Sequence, residues 1–110
     1  MVSKVKIKMN ICENATVVGA SVTEDGTFKL TVSSPCEKAV KYVEGLGQLT
    51  LSDLLDKTSS KVFSHFLLSP MSANCLLPAG VLSAAWLEAG LIAPSAARNS
   101  APNGIEFVFD

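Results

Sequence analysis

The sequence predicts an α+β domain in which a small, mainly antiparallel sheet is covered on one face by three to four helices. Strand-type alternation is confined to the first third of the chain and to its last residues. Helical spacing with start and stop signals fills the stretch between them. The 110 residues, 48% of them hydrophobic, suffice for one core but not for two. We therefore expect a single domain over residues 1–110.

The strands are predicted from alternation and from one turn. Lysine alternates with apolar residues in the first run, and β-branched residues dominate the second. Asp25-Gly26 separates the second run from the third and is typical of a hairpin, because glycine adopts a positive φ without strain. A short apolar run near the C-terminus predicts a strand that completes the sheet. The four predicted strands cover 5–9, 16–23, 27–32 and 105–109.

Capping signals predict where the helices begin. Ser34, Pro35 and Glu37 supply an N-cap, a first-turn proline and the glutamate of a capping box. Thr50 and Asp53 form a similar box for a short second helix. Residues 58–60 can cap a third helix, in which we expect the apolar side chains to face inward: Val62, Phe63, Phe66 and Leu67. The fourth helix is predicted to begin at Pro78, to contribute Leu82 and Trp86 to the core, and to end at Gly90.

Charge composition disfavours nucleic-acid binding and favours a protein partner. The net charge is −1, and only 17% of residues are charged. Lys4, Lys6 and Lys8 form the one basic cluster, which we interpret as the solvated face of the first strand. A sparsely charged surface is typical of a chain that is partly covered, so we expect a protein partner or a homodimer.

Targeting signals are not recognised in the sequence. The N-terminal residues alternate instead of forming an apolar run, so a cytoplasmic location is expected. The most apolar stretch, 75–93, is interrupted by Pro78, Gly80 and Gly90. We interpret it as a buried helix with flanking turns, and we expect no membrane span.

The three cysteines are the strongest functional lead. Cys12, Cys36 and Cys75 each lie at a predicted element end, where functional residues are common. Cys36 falls in a first helical turn, where the helix dipole favours thiolate, the form that binds metals and attacks electrophiles. Zinc or an iron–sulfur cluster would therefore suit the three sulfurs, with His65 completing a Cys₃His set. Catalytic motifs such as a nucleophile elbow or a phosphate loop are not found, so an enzyme is not favoured.

Two other interpretations of the cysteines remain open. Free cysteine is often a small buried hydrophobe, and Cys36 shares a helical face with Val40 and Val43. The chain would then be a cofactor-free module for protein interaction or oligomerisation. Alternatively, Cys36 could act as the nucleophile of a sulfur-transfer or redox protein, although no second paired cysteine supports it.

Three parts of the sequence carry a resemblance to a family. The run VSSPCEKAVKYVEGLG, the turn with Cys12 and the run CLLPAGVLSAAWLEAGL resemble a small uncharacterised three-cysteine domain family of bacteria and archaea. The resemblance implies that Cys12, Cys36 and Cys75 belong together, and it implies no assigned activity. A histidine expected shortly before the third cysteine is replaced here by the run 71–74, Met-Ser-Ala-Asn.

Overall fold

A computed structural model describes residues 2–109 and shows an α+β architecture, as the sequence predicts. The order of elements is three strands, a helix, a two-residue strand and four further helices. The strands are β1 (Ser3–Met9), β2 (Asn14–Val22), β3 (Phe28–Ser33) and β4 (Gln48–Leu49). The helices are α1 (Glu37–Leu46), α2 (Leu51–Leu55), α3 (Lys61–Leu68), α4 (Leu77–Glu88) and α5 (Pro94–Asn99).

The sheet is antiparallel throughout, with strand order β1-β2-β3-β4. Val5 pairs with Val18, and Val18 pairs in turn with Val32, so these three side chains share one face. That face packs against α1 and α4. The opposite face carries the exposed lysines of β1, which confirms their predicted solvated role.

The tightest contact lies between α4 and β1. Gly80 is buried in the second turn of α4, directly above Ile7. A Cβ built at Gly80 would lie 2.5 Å from the Ile7 Cδ1 atom and closer still to Cγ1. The missing side chain therefore sets how closely the helix approaches the sheet.

The predicted C-terminal strand is wrong. Residues 101–109 form no helix or strand and are exposed throughout. The fourth strand is instead β4, which pairs with β3 through Phe28 and Leu49. Gly47 makes this possible, because its positive φ of 66° turns the chain from the end of α1 back onto the sheet.

Most of the predicted local signals are confirmed. The Asp25-Gly26 turn joins β2 to β3, and Gly26 has a φ of 84°. Thr50 and Asp53 form a complete capping box, and Ser60 caps α3. The first helix differs, because it begins at Glu37 and its N-cap is Cys36, two residues after the predicted cap.

Candidate interaction surface

The cysteines lie at three element ends, as predicted, but in different surroundings. Cys12 ends a 3-10 turn that spans Asn10–Cys12 and is exposed. Cys36 precedes α1, and Cys75 lies in the loop before α4; both are half-buried and pack against the core. Two of the three therefore occupy positions that a small hydrophobe would fill.

A metal-binding role is not supported by this arrangement. Within residues 2–109, no group of three or more histidine, cysteine, aspartate or glutamate side chains is placed to hold a metal ion. Zinc or an iron–sulfur cluster needs such a convergence of ligands. The ligand set of Cys12, Cys36, Cys75 and His65 stays a prediction.

His65 lies at a pocket between α1 and α3. It is exposed on α3 and lines a shallow pocket of about 210 Å³ together with Lys38 and Lys41 from α1. None of the described residues that line this pocket is a cysteine, aspartate or glutamate, and the place of His65 in a metal site stays a prediction.

The backbone N–H of Cys36 takes part in a local network of hydrogen bonds. Its N–H donates to the Ser34 hydroxyl at 3.1 Å, and that hydroxyl is 2.7 Å from the Thr16 hydroxyl on β2. Ser34 thus anchors the start of α1 to the sheet rather than capping the helix directly. These contacts give the segment a structural role, and the nucleophile hypothesis for Cys36 stays a prediction.

An apolar groove lies where α2, α3 and α4 meet. Its volume is about 480 Å³, within the range of pockets that bind ligands or side chains. The Trp86 indole N–H donates to the Leu54 carbonyl at 3.0 Å and joins α4 to α2. The floor and walls are mainly apolar: Leu54, Leu82, Trp86, Ile92, Ala79, Leu55 and Phe63.

Large apolar side chains stand exposed around this groove. Leu55 is 55% exposed and Phe63 is 36% exposed, both on the groove, and Leu67 on α3 is 83% exposed. The prediction that Phe63 and Leu67 face inward is therefore wrong. Only Val62 and Phe66 of α3 turn toward the core, because a surface helix buries one stripe and α3 carries two apolar pairs at four-residue spacing.

Charged side chains lie at the edge of the groove. One Asp53 carboxylate oxygen accepts from the Thr50 N–H at 2.8 Å, and the other accepts from the Lys61 N–H at 3.0 Å. Burial raises the pKa of Asp53, but these backbone hydrogen bonds outweigh it and leave the pKa below its usual value. The groove is lined by two charged side chains, the ionised Asp53 and Lys57, and Lys57 forms no ion pair within residues 2–109.

Comparison with known proteins identifies the family. The chain belongs to the family of unknown function DUF6951, which matches residues 3–100. The three-cysteine pattern and the bacterial and archaeal range that the sequence suggested stay predictions. No curated protein and no solved structure is significantly similar to the chain. In the part of the chain that the structure describes, no helix has both the length and the apolar character needed to cross a membrane.

Proposed function

We propose that this domain is a cofactor-free protein-interaction module that binds an amphipathic segment of a partner protein in the α2–α3–α4 groove. The observation that carries the proposal is the exposed apolar rim. Leu55 and Phe63 stand on the groove with much of their surface in water, next to a Trp86 wall. Clustered exposed apolar residues mark binding sites, whereas scattered ones are common on any surface.

The groove also indicates the chemistry of its occupant. A volume of about 480 Å³ accepts two or three large apolar side chains rather than a whole domain. Lys57 at the edge favours an acidic residue beside them. An amphipathic segment with apolar anchors and a flanking carboxylate would match both features, as in other grooves that bind a helix.

Trp86 provides a built-in reporter for the test, because it is the single tryptophan of the chain. Peptides are selected from a random display library on the intact protein and then titrated while tryptophan emission is recorded. We expect peptides with paired large apolar residues and a neighbouring acidic residue. Their binding should shift the Trp86 emission to shorter wavelength, because the indole is transferred from partial solvent contact to an apolar environment.

The matched variants are Phe63→Asp in the groove and Ile11→Asp on the Asn10–Cys12 turn, both at exposed apolar positions. Phe63→Asp should weaken the selected peptides about tenfold or more, as expected for an aromatic anchor. Ile11→Asp should leave their affinity unchanged. Peptides that bind both variants equally, or a selection that enriches none, would contradict the groove proposal. If the Trp86 emission shifts when the protein concentration alone is raised, the groove is occupied by a second copy of the chain and not by a partner protein.

A further inference from the structure

A second surface, separate from the groove, is the outer edge of the sheet. β1 pairs with β2 over its whole length, from Ser3–Ala20 to Met9–Asn14, and no strand lies on its other side within residues 2–109. Alternate backbone N–H and C=O groups of β1 therefore point away from the sheet. The other edge is formed by the two-residue strand β4 and by the part of β3 that β4 does not cover, so within residues 2–109 β1 is the longest open edge for strand addition.

The two faces of β1 differ in chemistry. Lys4, Lys6 and Lys8 are exposed on the open face, whereas Val5 and Met9 are half-buried on the helix side. A strand that adds to this edge would best carry acidic residues on one face and apolar residues on the other. Two β1 strands paired with each other would bring their lysines together, so self-pairing of β1 is disfavoured.

The C-terminal segment has this alternation. Ile105, Phe107 and Phe109 recur at every second residue, with Glu106 between the first two. In an extended conformation the apolar three would share one face, and Glu106 and Val108 would lie on the other. In its own chain this segment is uncovered, and Phe109 is 88% exposed. It also lies beyond residues 3–100, the part of the chain that matches the family.

We propose that the segment 105–109 of one copy adds as a strand to the free edge of β1 in a second copy. Glu106 then lies among Lys4, Lys6 and Lys8, and Phe107 covers the side of the sheet that carries Val5. Residues 100–104, which include a proline and a glycine, form the connection. Reciprocal exchange of the two segments closes a dimer and leaves no free edge for further growth.

A charge exchange in the full-length chain tests the proposal. Lys6 is the middle one of the three lysines. If Glu106 pairs with Lys6 the two lie directly opposite, and if Glu106 pairs with Lys4 or Lys8 it lies diagonal to Lys6. Dimerisation is measured by light scattering after gel filtration over a concentration series. We expect Lys6→Glu and Glu106→Lys each to weaken the dimer about tenfold, because each reciprocal dimer contains the contact twice. The double variant should restore the dimer.

The control is Lys29→Glu, which changes a lysine on the same open face two strands away from the edge and should leave the dimer intact. If the wild type is a monomer and hydrogen exchange shows residues 105–109 protected, the segment docks within its own chain. That result would contradict the proposed swap of segments between two copies. A wild-type monomer with a freely exchanging segment would also overturn it. So would a dimer that survives removal of residues 105–110. Because Trp86 lies in the groove, its emission tests the proposed function independently of these outcomes.

Discussion

Apolar side chains lie in opposite environments on two faces of α4. On the face toward the sheet, Gly80 meets Ile7 with no space for one further methyl group. On another face, Trp86 lines a groove at which Leu55 and Phe63 are exposed to solvent. One helix therefore joins a closed core to an open surface.

The difference separates what specifies the fold from what is available to a partner. A close-packed contact excludes alternative arrangements of helix and sheet, because added volume produces strain. An open apolar rim contributes little to stability, since its side chains lose little water on folding. Substitutions at the Gly80–Ile7 contact should therefore change the free energy of unfolding, and substitutions at the groove should change partner binding.

The largest expected effect is at the closed contact. Gly80→Ala should lower the free energy of unfolding by about 1–3 kcal/mol, because the new methyl overlaps the Ile7 side chain. Urea denaturation measures the change. Combining it with Ile7→Ala should cost less than the sum of the two single changes, because the second substitution removes the atoms that the methyl would strike.

Gly45→Ala is the matched control, also at a glycine within a helix. The nearest atom to its added Cβ is the His65 Nδ1 at 3.9 Å, an ordinary contact. Alanine there should raise stability by about 0.5–1 kcal/mol through its greater helix propensity. Equal effects of Gly80→Ala and Gly45→Ala would mean that the helix–sheet contact is not closed as described.

A smaller effect on stability is expected at Asp53, beside the groove. Asp53→Asn should lower the free energy of unfolding by about 1–2 kcal/mol, because an amide cannot accept all the hydrogen bonds from Thr50 and Lys61. Thermal unfolding at several pH values measures the difference. The folded pKa of Asp53 lies below the usual 3.8, so the carboxylate contributes fully above that pH.

The sign of the pH dependence follows from that shift. As the pH falls below 3.8 and through the lower folded pKa of Asp53, the stabilising contribution is lost and the wild type approaches the Asp53→Asn variant. A stability difference that stays constant down to pH 2 would contradict the ionised role of Asp53.

The smallest effect concerns the thiols and leaves the fold unchanged. A thiol reagent should modify the exposed Cys12 first, and the half-buried Cys36 and Cys75 about tenfold or more slowly. Elemental analysis of protein purified without oxygen tests the metal hypothesis on the same sample. Stoichiometric zinc or iron that protects all three thiols would establish the ligand set and overturn the cofactor-free proposal.

Local patterns predicted most elements, and the exceptions have physical causes. Asp25-Gly26, the Thr50–Asp53 box and Ser60 act through contacts within a few residues, so the sequence shows them directly. The 105–109 run has the same alternation as a strand, but a strand also needs a neighbouring edge. Beside β3 that place is taken by β4 at Phe28 and Lys29, and within its own chain the 105–109 run pairs with neither this edge nor β1. The pairing of an apolar run therefore depends on the tertiary structure.

The sequence by itself determined the α+β class, the lysine face of β1, the hairpin and the caps of α2 and α3, because periodicity and capping depend on near neighbours. The tertiary structure alone decided which apolar side chains of α3 remain in solvent and whether distant cysteines meet. Both depend on how helices are placed relative to each other, which is set by contacts such as Gly80 on Ile7, far apart in the chain. Phe63 and Trp86 form a groove for that reason, although each is typical of a core residue in the sequence.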